Sequence, residues 1–595
     1  MKRVLFFLSL IFTLTTQAQI YWNGTADKNF PGEGTEASPY LISTPEQLAG
    51  MAERTNVDKE DFAGKYIKLT ADIYLTNFGD PDKENWKEWH PIAHEWWAVG
   101  GGETDYGYFR GHFDGDGHTV YNLYYNGGQN WGEDWDPEDP FFDPAAFLGT
   151  LDVTAFNRGL FCNVDGGTIE NLSIGDARMN GVGKVAMLAV NTTNGAVIRN
   201  CHVQGELRGF ATGMAGIVSE NNGLVENCSA NINIVICGGG IVVNTNGADG
   251  IVRGCTAAGS IQATAANTGS FAYRNDGLIE QCSSSADVTA LYGKQENGKY
   301  WGHNAGGFLY YNYGTVRECS ATGNVTVNSG VSGDGGSAGF CQMNLGLIES
   351  CYSTGNIICT GNGDEGSAQF VANNGMAQSV KEGYPVIRNC FSTGRIVYTN
   401  DERTYGYTGA FVYNYNGHAN SDYASHQFCW FNADGVPLPP NGGMSNAGFA
   451  GWPQEETVLK SQAFVDTLNL CASFLGTSQW ELKDGVPQPT GVRTKDTKAF
   501  FDGGEGTKES PYLISNKKQL ENFRWLVNHG YDFMNEYVLQ TADIEVNVPE
   551  EEWEYVEPEE WEPIGIAHTF PGFYNDNAQI NSYEFFMGNY DGGFH

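Results

Sequence analysis

Between residues 159 and 435 the apolar positions come in short alternating runs and never fall at helical spacing. Aligning the runs exposes a repeat. A large apolar residue opens each unit, at Phe161, Leu188, Ile217, Ile241, Phe271, Phe308, Phe340, Phe370 and Phe411. A β-branched residue follows, at Ile169, Ile198, Val225, Val252, Ile279, Val316, Ile348 and Ile387. Three positions later stands Leu172, and in the next units Cys201, Cys228, Cys255, Cys282, Cys319, Cys351 and Cys390; Cys429 continues the column. Aliphatic residues from Leu207 to Ile396 recur six positions after the cysteines, and Asn-x-Gly turns such as Asn275–Gly277 lie between the runs. The first cysteines are 27 residues apart and the later intervals reach 39, as if loops were inserted into one unit. β-Branched runs punctuated by Gly and Asn read as strands and turns. The pattern predicts an all-β parallel β-helix solenoid, with three short strands per coil of about 27 residues and coils stacked at ~4.8 Å.

Charge sharpens this reading. Two residues before the cysteine position stand Glu170, Arg199, Glu226, Arg253, Glu280, Arg317, Glu349 and Arg388, alternating in sign throughout. With one repeat per coil, each Glu has an Arg above and below it, and like charges never meet. With two coils per repeat, the groups would be roughly 10 Å apart in water, and alternation would gain little. The column is therefore expected to be a structural register device. Strict alternation along the strand would turn the cysteines outward. Asn200, Asn227 and Asn389 just before them suggest a bend that turns them in, giving a ladder of buried free thiols.

The flanks repeat each other. Gly32-Glu-Gly-Thr35 matches Gly504-Glu-Gly-Thr507, Ser38 to Ser43 matches Ser510 to Ser515, and Phe113-Asp-Gly115 matches Tyr590-Asp-Gly592. Each copy carries one helix: Pro45 with Leu48 and Met51 in the first, Leu520, Phe523 and Val527 in the second. A helix over an end coil covers the open strand edge that a solenoid must protect. A further short helix with Phe464, Val465 and Leu468, and a strand at Trp480, are expected near the coil exit, followed by a linker over 484–497. The expected divisions are 1–18, 19–158 (N-terminal cap and lead-in module), 159–435 (β-helix), 436–500 (C-terminal cap and linker) and 501–595 (second lead-in module). The second copy reads as cut short at residue 595.

Lys2 and Arg3, an apolar run over Val4–Leu14 and Thr16-Gln-Ala18 have the form of a secretory signal cleaved before Gln19. No later segment is long and apolar enough to span a membrane as a helix. The 71 acidic against 33 basic residues, a formal charge of −38, argue against nucleic acid as a partner.

The units Gly159-Leu-Phe161, Gly306-Gly-Phe308 and Ile387-Arg-Asn-Cys-Phe-Ser-Thr-Gly-Arg-Ile396 resemble those of GLUG-repeat proteins of bacterial surfaces. The flank motifs, including Phe113-Asp-Gly-Asp-Gly-His118, look like that family's leading module. The resemblance implies a right-handed β-helix on an exported protein. Such repeats accompany IgA-specific zinc metallopeptidases and adhesin-like proteins, and the repeat itself implies no catalytic residues.

Chemistry-bearing motifs are sparse. A zincin needs His-Glu-x-x-His, whereas His90 and His94 are separated by Pro-Ile-Ala. Asp114-Gly-Asp116-Gly resembles the start of a calcium loop without its closing Glu and reads better as a turn. No catalytic residue, metal ligand or cofactor is expected. Trp86, Trp96, Trp97, Trp131 and Trp135 crowd the first flank and are candidates for stacking on sugar rings, against packing of the cap. Function is expected to be non-enzymatic: a rigid surface scaffold for adhesion or for an extracellular ligand, such as a glycan or a host or bacterial surface component. The alternatives are a β-helical polysaccharide lyase or hydrolase, which needs a groove with paired carboxylates, and a spacer in a longer surface protein.

Overall fold

A computed structural model describes residues 19–96 and 105–126 and, apart from short stretches, 157–436 and 451–591. The repeats form a parallel β-helix. One coil comprises the strands Lys184–Ala186, Ala189–Thr193, Val197–Arg199 and His202–Gly209. The next comprises Gly213–Ala215, Val218–Asn221, Leu224–Glu226 and Ser229–Ile236. They stack in parallel register, with Lys184 opposite Gly213, Ala189 opposite Val218, Val197 opposite Leu224 and His202 opposite Ser229. Each of these coils thus has four strands, two of three residues, one of four or five and one of eight.

Stacking turns each sequence column into a ladder. The rings of Phe271, Phe308, Phe340, Phe370 and Phe411 lie parallel inside, with successive centroids 4.6, 5.0, 4.8 and 4.7 Å apart. Beside them runs a buried amide ladder. Nδ2 of Asn221, Asn246, Asn275, Asn312 and Asn344 each donates to the Oδ1 of the next Asn, ending at Asn374, at 2.8–2.9 Å. Each link satisfies a polar group that would be costly to bury alone. Asn374 Nδ2 then meets His426 Nε2 at 2.9 Å.

The corner before each cysteine position is left-handed: Asn171 (φ 53°, before Leu172), Asn200 (52°), Asn227 (53°), Gly254 (62°), Gln281 (55°), Glu318 (57°), Ser350 (52°), Asn389 (51°) and Phe428 (53°). Asn tolerates this region better than other side chains with a Cβ. The bend resets the strand phase, so the cysteine that follows points inward. All the described cysteines are free and buried. The Cys201, Cys228 and Cys255 backbone N–H groups donate to the sulfur one coil on, at 3.4–3.5 Å, and each thiol faces the carbonyl two residues before it.

The lead-in module stacks Tyr40–Ile42, Tyr66–Leu69 and His112–Asp114 in parallel and passes register to Thr168–Glu170. Its helix Pro45–Asn56 is capped by Thr44, which accepts from the Gln47 N–H, while the Gln47 side chain accepts from the Ser43 N–H. Leu48 and Met51 are buried beneath it.

At the other end the helix Gln462–Leu475 runs from the Ser461 cap to left-handed Gly476 (φ 73°). Its Phe464 packs edge-on against Phe391 and Trp430, both centroids 5.4 Å away. The segment expected as a linker is instead ordered. Val486–Arg493 pairs antiparallel with Ser478–Lys483 and folds back along the solenoid wall. Two prolines in that strand masked it in the sequence; prolines are tolerated because it is an edge strand. The second module then packs on the last coils: Phe428 N–H donates to His529 O, and Trp525 stacks on Phe428 at 5.8 Å. Among the described residues no helix is long and apolar enough to cross a membrane.

Candidate ligand-binding surface

The charge column sits on the outer wall. Parallel register sets Glu170 opposite Arg199, Arg199 opposite Glu226, and so on to Glu349 opposite Arg388. Arg199 Nε lies 2.5 Å from Glu170, and Arg253 lies 3.5 Å from Glu226 and 2.5 Å from Glu280. Arg317 Nε reaches Glu280 and Arg388 Nε reaches Glu349, both at 2.7 Å. The column also extends toward the N-terminus. Glu170 is opposite Asp114, and Asp114 is opposite Lys68. Alternation fails there, and His112 Nε2 closes on Glu170 Oε1 at 2.6 Å. Carboxylate exposure falls from 27% at Glu226 to 9% at Glu280 and 2% at Glu349. At Glu349 the C-terminal hairpin covers the column: Arg493 lies over Glu318 (2.8 Å) and Glu349 (2.7 Å). At Glu280 burial pushes the carboxyl pKa up, but the bonds from Arg317 and Arg253 outweigh it and hold it below its ordinary value.

Beside the ladder runs a groove of about 490 Å³, lined by Gly117, Asn171, Ser173, Asn200, His202 and Asn227. One wall is the left-handed corner, where Asn200 Nδ2 donates to Asn171 Oδ1 (3.2 Å) and Asn171 Nδ2 to Asp114 Oδ1 (3.0 Å). The other wall is the residue after each cysteine position, with His202 Nδ1 and Ser229 Oγ 2.7 Å apart. Among the described residues the lining offers amides, a hydroxyl and an imidazole, and contains no carboxylate, lysine or arginine. This wall follows the register Ser173, His202, Ser229, Thr256, Ser283, Ser320, Tyr352, Phe391, Trp430. It turns from polar to aromatic where Phe464 and Trp480 pack on Phe391. The sequence holds this signal in the position after each cysteine, which belongs to no motif.

The candidate tryptophans do not form a described site. Trp97, Trp131 and Trp135 lie outside the described residues, and Trp96 is described only as part of the strand Glu95–Trp96. Trp86 packs edge-on against Phe78 (5.0 Å) and Tyr124 (5.3 Å), with the Arg178 guanidinium 4.3 Å from the Phe78 centroid. The loops at 290–305, 329–337, 361–366 and 376–385 fall largely outside the described residues. Arg158 meets His94 Nε2 at 2.5 Å. Burial, reinforced by that cation, lowers the His94 pKa to about 3. Among the described residues no three potential ligands converge on a metal position. At Asp114-Gly-Asp116 the Asp116 N–H donates to Asp114 Oδ1 (2.9 Å) and Lys68 pairs with Asp116 (3.0 Å), as in a turn.

No protein-family profile matches the chain. A protein of Evansella cellulosilytica, provisionally named a Gly-rich membrane protein, is 37% identical over 100 residues, which is 16% of this chain and 10% of that protein's length. A crystal structure provisionally identified as an immunoglobulin A1 protease from Bacteroides ovatus aligns with 56% of this chain and 79% of its own at 19% identity, with a TM-score of 0.32. Neither likeness assigns an activity.

Proposed function

We propose that the protein is an exported, non-enzymatic β-helical scaffold of the GLUG-repeat kind. In this reading it holds an uncharged glycan of the cell exterior along the groove from Gly117 to Asn227. The observation that carries it is the lining. Amides, a hydroxyl and an imidazole exchange hydrogen bonds with sugar hydroxyls, while two carboxylates flanking one bond, which glycoside hydrolysis needs, are not among the six. Three amides, those of Asn171, Asn200 and Asn227, repeat along the groove at the coil step of ~4.8 Å, which suits a short stretch of linear polymer lying along the axis. The rigid wall adds little ordering cost on binding.

The test is an array of neutral and acidic glycans probed with the full protein and with Asn200→Gly/His202→Ala. Both side chains are exposed, and glycine accepts the left-handed backbone at position 200, so the variant is expected to keep its melting temperature. Neutral glycans should bind the wild type and lose about tenfold or more in affinity with the variant. Absence of glycan binding, or equal binding by both proteins, would overturn the reading. Export is tested by sequencing the N-terminus of protein recovered outside the cell, expected to begin at Gln19.

A further inference from the structure

Two positions along each strand from the groove wall, a second column faces the same way. Thr119 and Tyr121 share the outer face of one strand around buried Val120, and Ser173 and Gly175 share that of the next around buried Ile174. Ser173 lines the groove. Thr119 is opposite Ser173, and Tyr121 is opposite Gly175. Toward the N-terminus the column continues through Tyr74 to Tyr21. It therefore reads as three tyrosines followed by a residue with no side chain.

The stack fixes the rings. Tyr74 and Tyr121 are parallel within 8°, with centroids 4.9 Å apart, and Tyr21 meets Tyr74 edge-on at 6.0 Å. One face of Tyr121 is thus taken by Tyr74, and the other is turned to the coil of Gly175. The ring leans over that glycine: a Cβ there would stand 2.8 Å from Cδ1 and Cε1 of Tyr121 and 3.3 Å from Cγ2 of Thr119. The Gly175 backbone is not left-handed, so glycine serves here by leaving room. Beyond it the ladder slips. Gly175 and Asp176 together span the place that Gln204 fills alone, between the pairs Ile174–Val203 and Ala177–Gly205. A bulge of this kind re-aims the wall locally, and the Gln204 side chain is exposed beside the notch.

We propose that the Tyr121 ring over Gly175 is an aromatic subsite of the groove, on which one pyranose unit of the glycan stacks. This rests on the glycan reading of the groove and names its sugar class. An aromatic ring carries a negative face, which attracts the C–H hydrogens on the flat side of a pyranose chair. A furanose ring offers no such flat face. Tyrosine supplies broad, rigid contact at a low ordering cost, and Tyr74 holds this ring in place before binding. The Gln204 amide can donate to and accept from the hydroxyls at the sugar's edge.

The test titrates the full protein calorimetrically with hexasaccharides of glucopyranose, galactopyranose, mannopyranose and fructofuranose. At least one pyranose hexamer is expected to bind, and at least tenfold more tightly than the fructofuranose hexamer. Tyr121→Leu removes the ring, and Gly175→Val fills the notch and displaces it. Each should weaken the pyranose hexamer at least tenfold and narrow its advantage over the furanose. Thermal melts identify a variant that fails to fold, and the other then carries the test. Wild type that binds none of the four overturns the groove reading and this one with it. Pyranose binding that is lost in Asn200→Gly/His202→Ala but kept in Tyr121→Leu and Gly175→Val overturns the aromatic subsite alone. So does a fructofuranose hexamer that binds as tightly as the best pyranose.

Discussion

The guanidinium of Arg493 lies 2.7 Å from Oε1 of Glu349, whose other oxygen is held by Arg388. Arg493 also reaches Glu318 at 2.8 Å. One side chain from the C-terminal hairpin thus neutralises two carboxylates that are 2% and 4% exposed. Removing a partner from a buried pair strands the remaining charge. Because Arg493 is itself about a third exposed, the cost is discounted for solvent screening. Arg493→Ala is expected to lower the unfolding free energy by about 1–3 kcal/mol. Arg208→Ala, which breaks the exposed pair with Glu206, should cost less than about 0.5 kcal/mol. Urea denaturation of the two variants decides it: equal losses would mean that the hairpin contact adds no more than a surface pair.

Glu280 is held from the coils on both sides, with Arg253 Nε at 2.5 Å and Arg317 Nε at 2.7 Å. Glu280→Lys sets three cations in successive coils ~4.8 Å apart. We expect a loss of about 2–4 kcal/mol at low salt, shrinking in 1 M salt as the repulsion is screened. The pH dependence has a definite sign. The folded pKa lies below the ordinary 4.5, so the pair's stabilisation is complete above pH 4.5 and is lost as pH falls through the lowered value. Glu280→Gln should be less stable at neutral pH and flatter than wild type below pH 4.5. Identical acid profiles would remove Glu280 from the account.

The solenoid and its ladder were legible because a coil is one repeat, so each sequence column is a physical row of touching residues. Glu170 to Arg388 could be read that way, and so could the bend at Asn200. The groove beside the ladder was not. Its wall, Ser173, His202 and Ser229, carries no motif and acquires meaning only through the corner beside it. The hairpin was hidden because Pro487 and Pro489 argue against a strand, and its Arg493 finds Glu318 across a sequence separation of 175 residues. Tryptophan content pointed toward the first flank, yet Trp86 is engaged by Phe78 and Tyr124.

The thiol ladder predicts chemical silence. Cys255 and Cys319 are buried, and desolvation raises their pKa far above that of a free thiol. Thiolate is the reactive form, so the twelve described cysteines should be inert to a thiol-specific dye at pH 8, with their labelling, mapped by peptide, appearing only on unfolding. Since the described cysteines are free, a reductant should leave the melting temperature unchanged. A shift of several degrees on reduction would reveal disulfides in the column instead.

His426 sets the acid limit of the amide ladder. Asn374 Nδ2 can only donate, so its contact with His426 Nε2 at 2.9 Å requires that nitrogen to accept. The ring must then be neutral with its proton on Nδ1. Burial lowers the His426 pKa from 6.5 to about 4, although part of the residue still reaches solvent. A lowered folded pKa means that the unfolded chain takes up the proton first. The ladder's contribution is therefore complete above pH 6.5 and declines as pH falls toward 4. His426→Gln places an amide oxygen near the same acceptor position without a titrating group. Thermal melts from pH 7 to pH 4.5 should show wild type losing more stability than the variant, and the difference should level off below pH 4. If the two proteins lose stability in parallel across that window, the acid sensitivity belongs to the carboxylates of the outer ladder and not to the end of the asparagine stack.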